Sequence, residues 1–99
     1  MKKQETLFKE RVFKKLKNYD RLWFYKTNDR TAKGIPDVIL CANGHFIAVE
    51  FKCGANVPTA YQQIQLERIR GSGGWTLVIY PENEDELFSL LSKFVKFGS

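Results

Sequence analysis

The sequence is poor in cysteine and contains no long apolar run. Its two cysteines, Cys41 and Cys53, form no C-x-x-C motif, so we expect neither a disulfide nor a zinc site. Apolar runs extend over only a few residues, and the first twenty residues are rich in Lys and Glu. We therefore expect no membrane span, no signal peptide and a cytoplasmic location.

The chain also lacks internal repeats, low-complexity segments and linker-like stretches. It has 99 residues, of which 43% are hydrophobic, 27% charged and 14% aromatic. This balance is typical of a globular chain rather than a disordered one, and the length suits one hydrophobic core. We predict a single domain over residues 1–99.

Positive charge is concentrated toward the amino end. Residues 1–34 hold eleven Lys and Arg against four Asp and Glu, whereas residues 35–99 hold five against seven. Such asymmetry indicates a polyanionic partner, because basic clusters bind phosphate backbones through counterion release. A lysine-rich solvated helix explains the charge equally well, so composition leaves both interpretations open.

Hydrophobic spacing and turn residues predict an α/β domain with the element order αβββαβα. We expect Trp23 and Trp75 to lie in the core rather than to serve as platforms on which bases stack. The predicted elements are a helix over Glu5–Tyr19, strands over Leu22–Lys26, Asp37–Cys41 and His45–Lys52, a helix from Thr59 to about residue 71, a strand over Trp75–Tyr80 and a last helix from Asn83 to about Phe97.

The two central strands are joined by an Asn-Gly turn, the strongest short signal for a β-hairpin. With Asn43 and Gly44 as the turn, cross-strand partners pair so that Asp37 lies opposite Glu50. Strand alternation then places Lys52 on the same side as Glu50. The predicted register therefore gathers two acids and a lysine on one face of the sheet.

Two opposed carboxylates in apolar strands need a compensating charge. Mg²⁺ would supply it, because this cation takes carboxylate and carbonyl oxygens and keeps several waters for chemistry. Lys52 would then orient or deprotonate an attacking water, or stabilise the charge that develops on the phosphate. The alternative is a simple ion pair between Glu50 and Lys52 at the end of a strand.

Two further side chains fall near this cluster. Glu5 shares a helical face with Phe8 and Val12, although an acid at this position is also favoured by the helix dipole alone. Gln62 faces the sheet in the first turn of the second helix, and it also completes a capping box with Thr59. Both roles of Gln62 are compatible if its amide points inward.

Four short motifs together resemble those of a VRR-NUC domain, a family of the PD-(D/E)XK nuclease superfamily. The resemblance extends from Glu5 to Tyr80 and corresponds to a stand-alone member of virus or phage type. The motifs are Gly34-Ile35-Pro36-Asp37, Ala48-Val49-Glu50-Phe51-Lys52, Thr59-Ala60-Tyr61-Gln62 and Leu66-Glu67-Arg68-Ile69.

The resemblance implies a restriction-endonuclease-like core, in which helices flank a central mixed sheet, and a DNA endonuclease that depends on Mg²⁺ or Mn²⁺. Asp37 and Glu50 would be metal ligands, with the Phe51 carbonyl as a third. Lys52 would serve the water nucleophile. The resemblance also assigns Glu5 to the metal, directly or through water, and Gln62 to the catalytic group.

Small members of this family further imply a homodimer that cuts branched DNA, such as four-way junctions, in replication, repair or recombination in a bacterial or virus-infected cell. A surplus of apolar residues in the last helix also predicts a partner chain. Lys26, Arg30 and Lys33 precede Asp37 and are expected to bind DNA.

Two alternatives stay open from the sequence. One is a nuclease of other specificity, acting on flaps, nicks or duplex DNA. The other is a catalytically silent module that binds nucleic acid, which would normally lack an acid or the lysine of the central motif. Here Asp37, Glu50 and Lys52 are all present.

Overall fold

A computed structural model describes residues 3–28 and 32–98. The predicted order αβββαβα is confirmed, and Arg30 lies outside the described residues. The elements are helix α1 (Gln4–Leu16), strands β1 (Leu22–Lys26), β2 (Val38–Ala42) and β3 (His45–Phe51), helix α2 (Ala60–Gly71), strand β4 (Trp75–Ile79) and helix α3 (Asp85–Leu91), which follows a short 3₁₀ turn (Pro81–Asn83).

The four strands form one mixed sheet in the order β1-β2-β3-β4. The pairs β1/β2 and β2/β3 are antiparallel, and β3/β4 is parallel. The predicted hairpin register is confirmed, with Ala42 opposite His45. Asn43 and Gly44 have φ angles of 49° and 89°, as a tight two-residue hairpin turn requires. The chain is thus an α/β fold with a mixed sheet; the specific PD-(D/E)XK core stays a prediction.

The hydrophobic core lies between one face of the sheet and helices α1 and α3. Alternate residues of β3 point into it, because side chains of a strand alternate between the two faces. The Phe51 ring is fully buried and meets the rings of Phe8 and Phe13 edge-on, at centroid distances of 5.5 and 5.8 Å. This packing fixes the backbone of β3 where Glu50 and Lys52 flank Phe51.

Helix α2 covers only part of the opposite sheet face. Its Arg70 Nη1 donates to Thr76 Oγ1 at 2.7 Å on β4, so the helix lies over β3 and β4. The prediction that Trp23 and Trp75 are core residues is wrong, because these side chains are 58% and 42% exposed. Trp23 belongs to the edge strand β1, at the part of this face that α2 does not cover.

The last helix is shorter than predicted, since α3 ends at Leu91 rather than near Phe97. The following segment folds back instead. Phe94 stacks on His45 at 3.9 Å between ring centroids, and Phe97 packs edge-on against Tyr19 at 5.1 Å. Turn hydrogen bonds continue as far as Val95, whose N–H donates to the Leu91 carbonyl at 2.9 Å, and beyond them a bridge joins Phe97 to Tyr19. Helix α1 likewise ends at Leu16, before Tyr19.

This folding back covers most of the apolar side chains on which the prediction of a partner chain depends, and the partner chain stays a prediction. Leu87 and Leu91 are completely buried, and Leu90 and Val95 are at most 8% exposed. The chain therefore buries most of these apolar side chains itself.

Among the described residues, no helix combines the length and the apolar character needed to cross a membrane.

The loop before β2 rests directly on the first turn of α2. Gly34 has a φ of +80°, and a Cβ atom there would lie 2.4 Å from the carbonyl carbon and oxygen of Tyr61 and 2.8 Å from the nitrogen of Gln62. Only glycine permits this approach without movement of one backbone. The contact joins the segment that carries Asp37 to the helix that carries Gln62.

We predict that Gly34→Ala destabilises the fold more than Gly54→Ala. Both glycines have positive φ, but nothing lies within 4 Å of a Cβ on Gly54. The steric overlap at Gly34 adds about 1–3 kcal/mol to the cost of the strained φ. Urea unfolding of the two variants measures the difference, and equal losses of stability would show that the loop does not rest on α2.

Candidate functional site

Asp37 lies where the predicted register places it, one residue before β2. Continuing outward from the pair Val38–Val49 brings Asp37 opposite Glu50. The Asp37 Oδ2 atom accepts a hydrogen bond of 2.8 Å from the Phe51 backbone N–H, and its carbonyl oxygen accepts one of 3.0 Å from Thr27. These two bonds fix the half-buried Asp37 at the point where β1, β2 and β3 meet.

Glu50 is the one charged residue that is buried in the described part of the chain, at 2% exposure. Its Oε2 atom accepts a hydrogen bond of 2.7 Å from Gln62 Nε2 and lies 3.4 Å from Lys52 Nζ. Its other oxygen, Oε1, is buried and has no hydrogen-bond partner among the described residues. Both donors thus converge on one oxygen and leave the other uncompensated.

The electrostatic environment disfavours the ionised form of Glu50. Burial raises the pKa of Glu50 from 4.5 to about 7, and the negative charge of Asp37 adds to this effect. Lys52 and Lys9 act in the opposite direction but do not cancel it. In the absence of a cation, this carboxyl group therefore holds its proton to near neutral pH.

Gln62 serves both of the roles that the sequence left open. Its side-chain Oε1 accepts a hydrogen bond of 2.9 Å from the Thr59 N–H, and its own N–H donates to Thr59 Oγ1 at 3.2 Å, which completes the capping box. The Nε2 group is then free to donate to Glu50. The amide is therefore held at both ends, and it ties the start of α2 to the buried carboxylate.

The residues present fit a hard divalent cation. Two carboxylates, one with a buried oxygen that lacks a partner, offer the oxygen ligands that Mg²⁺ prefers. Phe51 lies between Glu50 and Lys52, and its carbonyl stays a predicted third ligand. Over residues 3–28 and 32–98, no three His, Cys, Asp or Glu side chains group closely enough to hold a metal ion. The acids that the structure brings together here are Asp37 and Glu50.

The structure does not bring Glu5 into this hydrogen-bonded cluster. Its side chain is 50% exposed and forms an ion pair with Lys9, with 3.2 Å between Oε1 and Nζ. Lys9 in turn lies close enough to Glu50 to lower its pKa. Lys9 thus interacts with the helix acid and with the buried carboxylate, and the role of Glu5 in metal binding stays a prediction.

The predicted DNA-binding lysines lie on different sides of the sheet. Lys33 Nζ lies 4.9 Å from the centre of the Tyr61 ring, beside the first turn of α2 and hence near Gln62. Lys26 Nζ lies 4.4 Å from the centre of the Phe13 ring, on the face covered by α1. Only Lys33 of these two is on the side of the acids.

Sequence reasoning missed Lys9 as part of the site. Its position four residues after Glu5 was the signal that could have identified the ion pair. It also missed the close contact between Gly34 and Tyr61, which depends on the path of two segments distant in sequence.

No protein-family model matches the chain, and a search of curated proteins finds no significant match. The resemblance to VRR-NUC domains therefore rests on the motifs themselves.

We predict that the metal-free protein loses stability as the pH rises from about 4.5 to about 7. The pKa of Glu50 is raised in the folded state, so the full stability is present below the unfolded pKa of 4.5 and falls as the pH passes through the folded value of about 7. The loss attributable to Glu50 is about 3 kcal/mol. Urea unfolding in EDTA across this range measures it.

Glu50→Gln should remove most of this slope, because the amide has no charge to desolvate. Glu67→Gln, at an exposed position of α2, is the matched control and should keep the slope of the unsubstituted protein. A Glu50→Gln variant with an unchanged pH dependence would mean that burial does not hold the proton on Glu50.

Proposed function

We propose that this protein is a divalent-metal-dependent nuclease that hydrolyses phosphodiester bonds in DNA. The observation that carries the proposal is the buried Glu50 carboxylate opposite Asp37, with one oxygen that lacks a partner and a lysine beside the other. A structural ion pair leaves that orphaned oxygen unexplained, whereas a cation compensates both acids at once.

Asp37 and Glu50 would hold the cation, with Mg²⁺ or Mn²⁺ as the candidates. When bound, such an ion supplies Lewis-acid polarisation of a phosphate oxygen and lowers the pKa of water. The raised pKa of Glu50 means that cation binding displaces a proton near neutral pH. Metal affinity should therefore increase with pH through this range.

Lys52 and Gln62 act on the same carboxylate oxygen but have different tasks. Gln62 is anchored by the capping box, so its Nε2 group fixes the orientation of Glu50. The Lys52 side chain is 16% exposed, compared with 3% for the side chain of Glu50, and its Nζ lies 3.4 Å from Glu50 Oε2. Lys52 would orient the attacking water and stabilise negative charge that develops on the phosphate.

DNA is the proposed substrate because of the charge of the chain and its position. The formal net charge is +5, and Lys33 lies over Tyr61 on the same side of the sheet as the acids. We extend the proposal to branched DNA and a homodimer, as the VRR-NUC resemblance implies. A symmetric dimer would present two sites to two strands of a branch.

Metal-dependent cleavage tests the proposal directly. We expect the protein to cut labelled DNA with Mg²⁺ or Mn²⁺ and not with EDTA, and a comparison of four-way junction, flap, nicked, duplex and single-stranded substrates ranks its preference. Lys52→Met should reduce the rate by at least about 100-fold, as loss of a group that stabilises the transition state does. Its DNA affinity should change little, because one lysine adds little to a multi-phosphate footprint.

Lys93→Met, at an exposed position after α3, is the matched control and should cleave at the normal rate. Retention of cleavage in Lys52→Met would remove that lysine from the chemistry. Tight, salt-dependent DNA binding without cleavage of any substrate would favour the silent binding module.

A further inference from the structure

The sheet face on the side of the acids carries three rows of side chains that cross the strands. The register places Trp23, Cys41 and Phe46 in the first row, and Tyr25 with Ile39 and Ala48 in the second. The third row holds the Asp37–Glu50 pair. Residues four apart along a strand are about 13 Å apart, so the first row lies about 13 Å from the acids.

Three aromatic side chains of these rows are exposed, and we call them the aromatic face: Trp23, Tyr25 and Phe46. They are 58%, 57% and 44% exposed. The rings of Trp23 and Tyr25 are nearly parallel, with 6.2 Å between centroids and 6° between planes. Exposed parallel rings on a pleated strand offer flat apolar surface to a ligand rather than to the core of this chain.

Positive groups lie at both ends of the aromatic face. Next to Phe46, a cavity of about 510 Å³ between α2 and the hairpin turn is lined by Arg68 and Gln65, with no carboxylate among its lining residues. At the other end, Lys33 lies over the Tyr61 ring and Lys52 lies beside Glu50. An anionic ligand that follows the face would thus find a cation at each end.

We propose that the aromatic face binds unpaired nucleobases of a single-stranded DNA segment that leads to the Asp37–Glu50 pair. Bases stack on exposed aromatic rings whatever their sequence, and flanking cations attract the phosphates. Continuity with the acid pair favours nucleic acid over a second copy of this chain. The proposal rests on the proposed function and gives it a substrate class: DNA with unpaired bases beside the scissile phosphate.

The chain has two tryptophans, and the register places them on opposite faces of the sheet, since Trp75 pairs with the inward-facing Ile47. Fluorescence therefore reports each face separately. In EDTA, oligothymidylate should quench the fluorescence of the Trp75→Phe variant, which retains only Trp23. It should leave the fluorescence of the Trp23→Phe variant, which retains only Trp75, unchanged. The Trp75 ring is covered in part by Phe94, at 5.7 Å between centroids.

Affinity measurements complete the test. Trp23→Ala and Tyr25→Ala should each weaken oligothymidylate binding about tenfold, with unchanged thermal midpoints because both side chains are exposed. Equal quenching of the two single-tryptophan proteins, or unaltered affinity in both alanine variants, overturns the proposal. The proposal is also overturned if the unsubstituted protein sediments as a dimer and the Trp23→Ala variant as a monomer, because the aromatic face would then bind a second copy of the chain.

Cleavage assays on the same proteins separate this proposal from the nuclease proposal. Selective quenching of Trp23 without metal-dependent cleavage supports the binding face and contradicts the nuclease. Metal-dependent cleavage without quenching contradicts the binding face and leaves the nuclease intact.

Discussion

The pairing of β2 with β3 is the constraint on which the rest of the site depends. The turn at Asn43 and Gly44 sets the register of the hairpin, and this register determines on which face of the sheet each acid lies. A slip of one residue would turn Glu50 into the aromatic core and expose Val49 and Phe51. The apolar residues of β3 therefore specify the position of the carboxylate as firmly as they specify the core.

This position has a cost in folding free energy. A buried carboxylate opposite another acid, with an oxygen that lacks a partner, disfavours the folded state, and the rest of the core must offset it. Gln62 and Lys52 reduce the cost by contacting Oε2, but neither contacts Oε1. Local conflict of this kind is typical of functional sites, where selection retains a group that stability alone would remove.

The sequence predicts the elements whose signals are local. The Asn-Gly turn and strand alternation give the hairpin and its acids, and the Thr59–Gln62 spacing gives the capping box. The contact between the Gln62 amide and Glu50 is predictable for the same reason, because helical periodicity indicates that Gln62 faces the sheet.

The features that the sequence does not predict depend on contacts between distant segments. The sequence predicts that Trp23 is a core residue. It is exposed because β1 is an edge strand that α2 does not cover. Beyond the end of α3 the chain folds back, and Phe94 stacks on His45, a residue almost fifty positions away. Lys9 enters the site only through the packing of α1 against the sheet.

The most direct measurement is the thermal midpoint of the DNA-free protein as a function of Mg²⁺ or Mn²⁺ concentration near pH 8, with K⁺ at matched ionic strength as the control. A ligand that binds only the folded state raises the midpoint with its concentration. We predict such a rise for the unsubstituted protein and little or none for Asp37→Asn, whose amide oxygen can still accept the Phe51 N–H. Equal midpoint shifts in both proteins, or none in either, would contradict a cation held between Asp37 and Glu50.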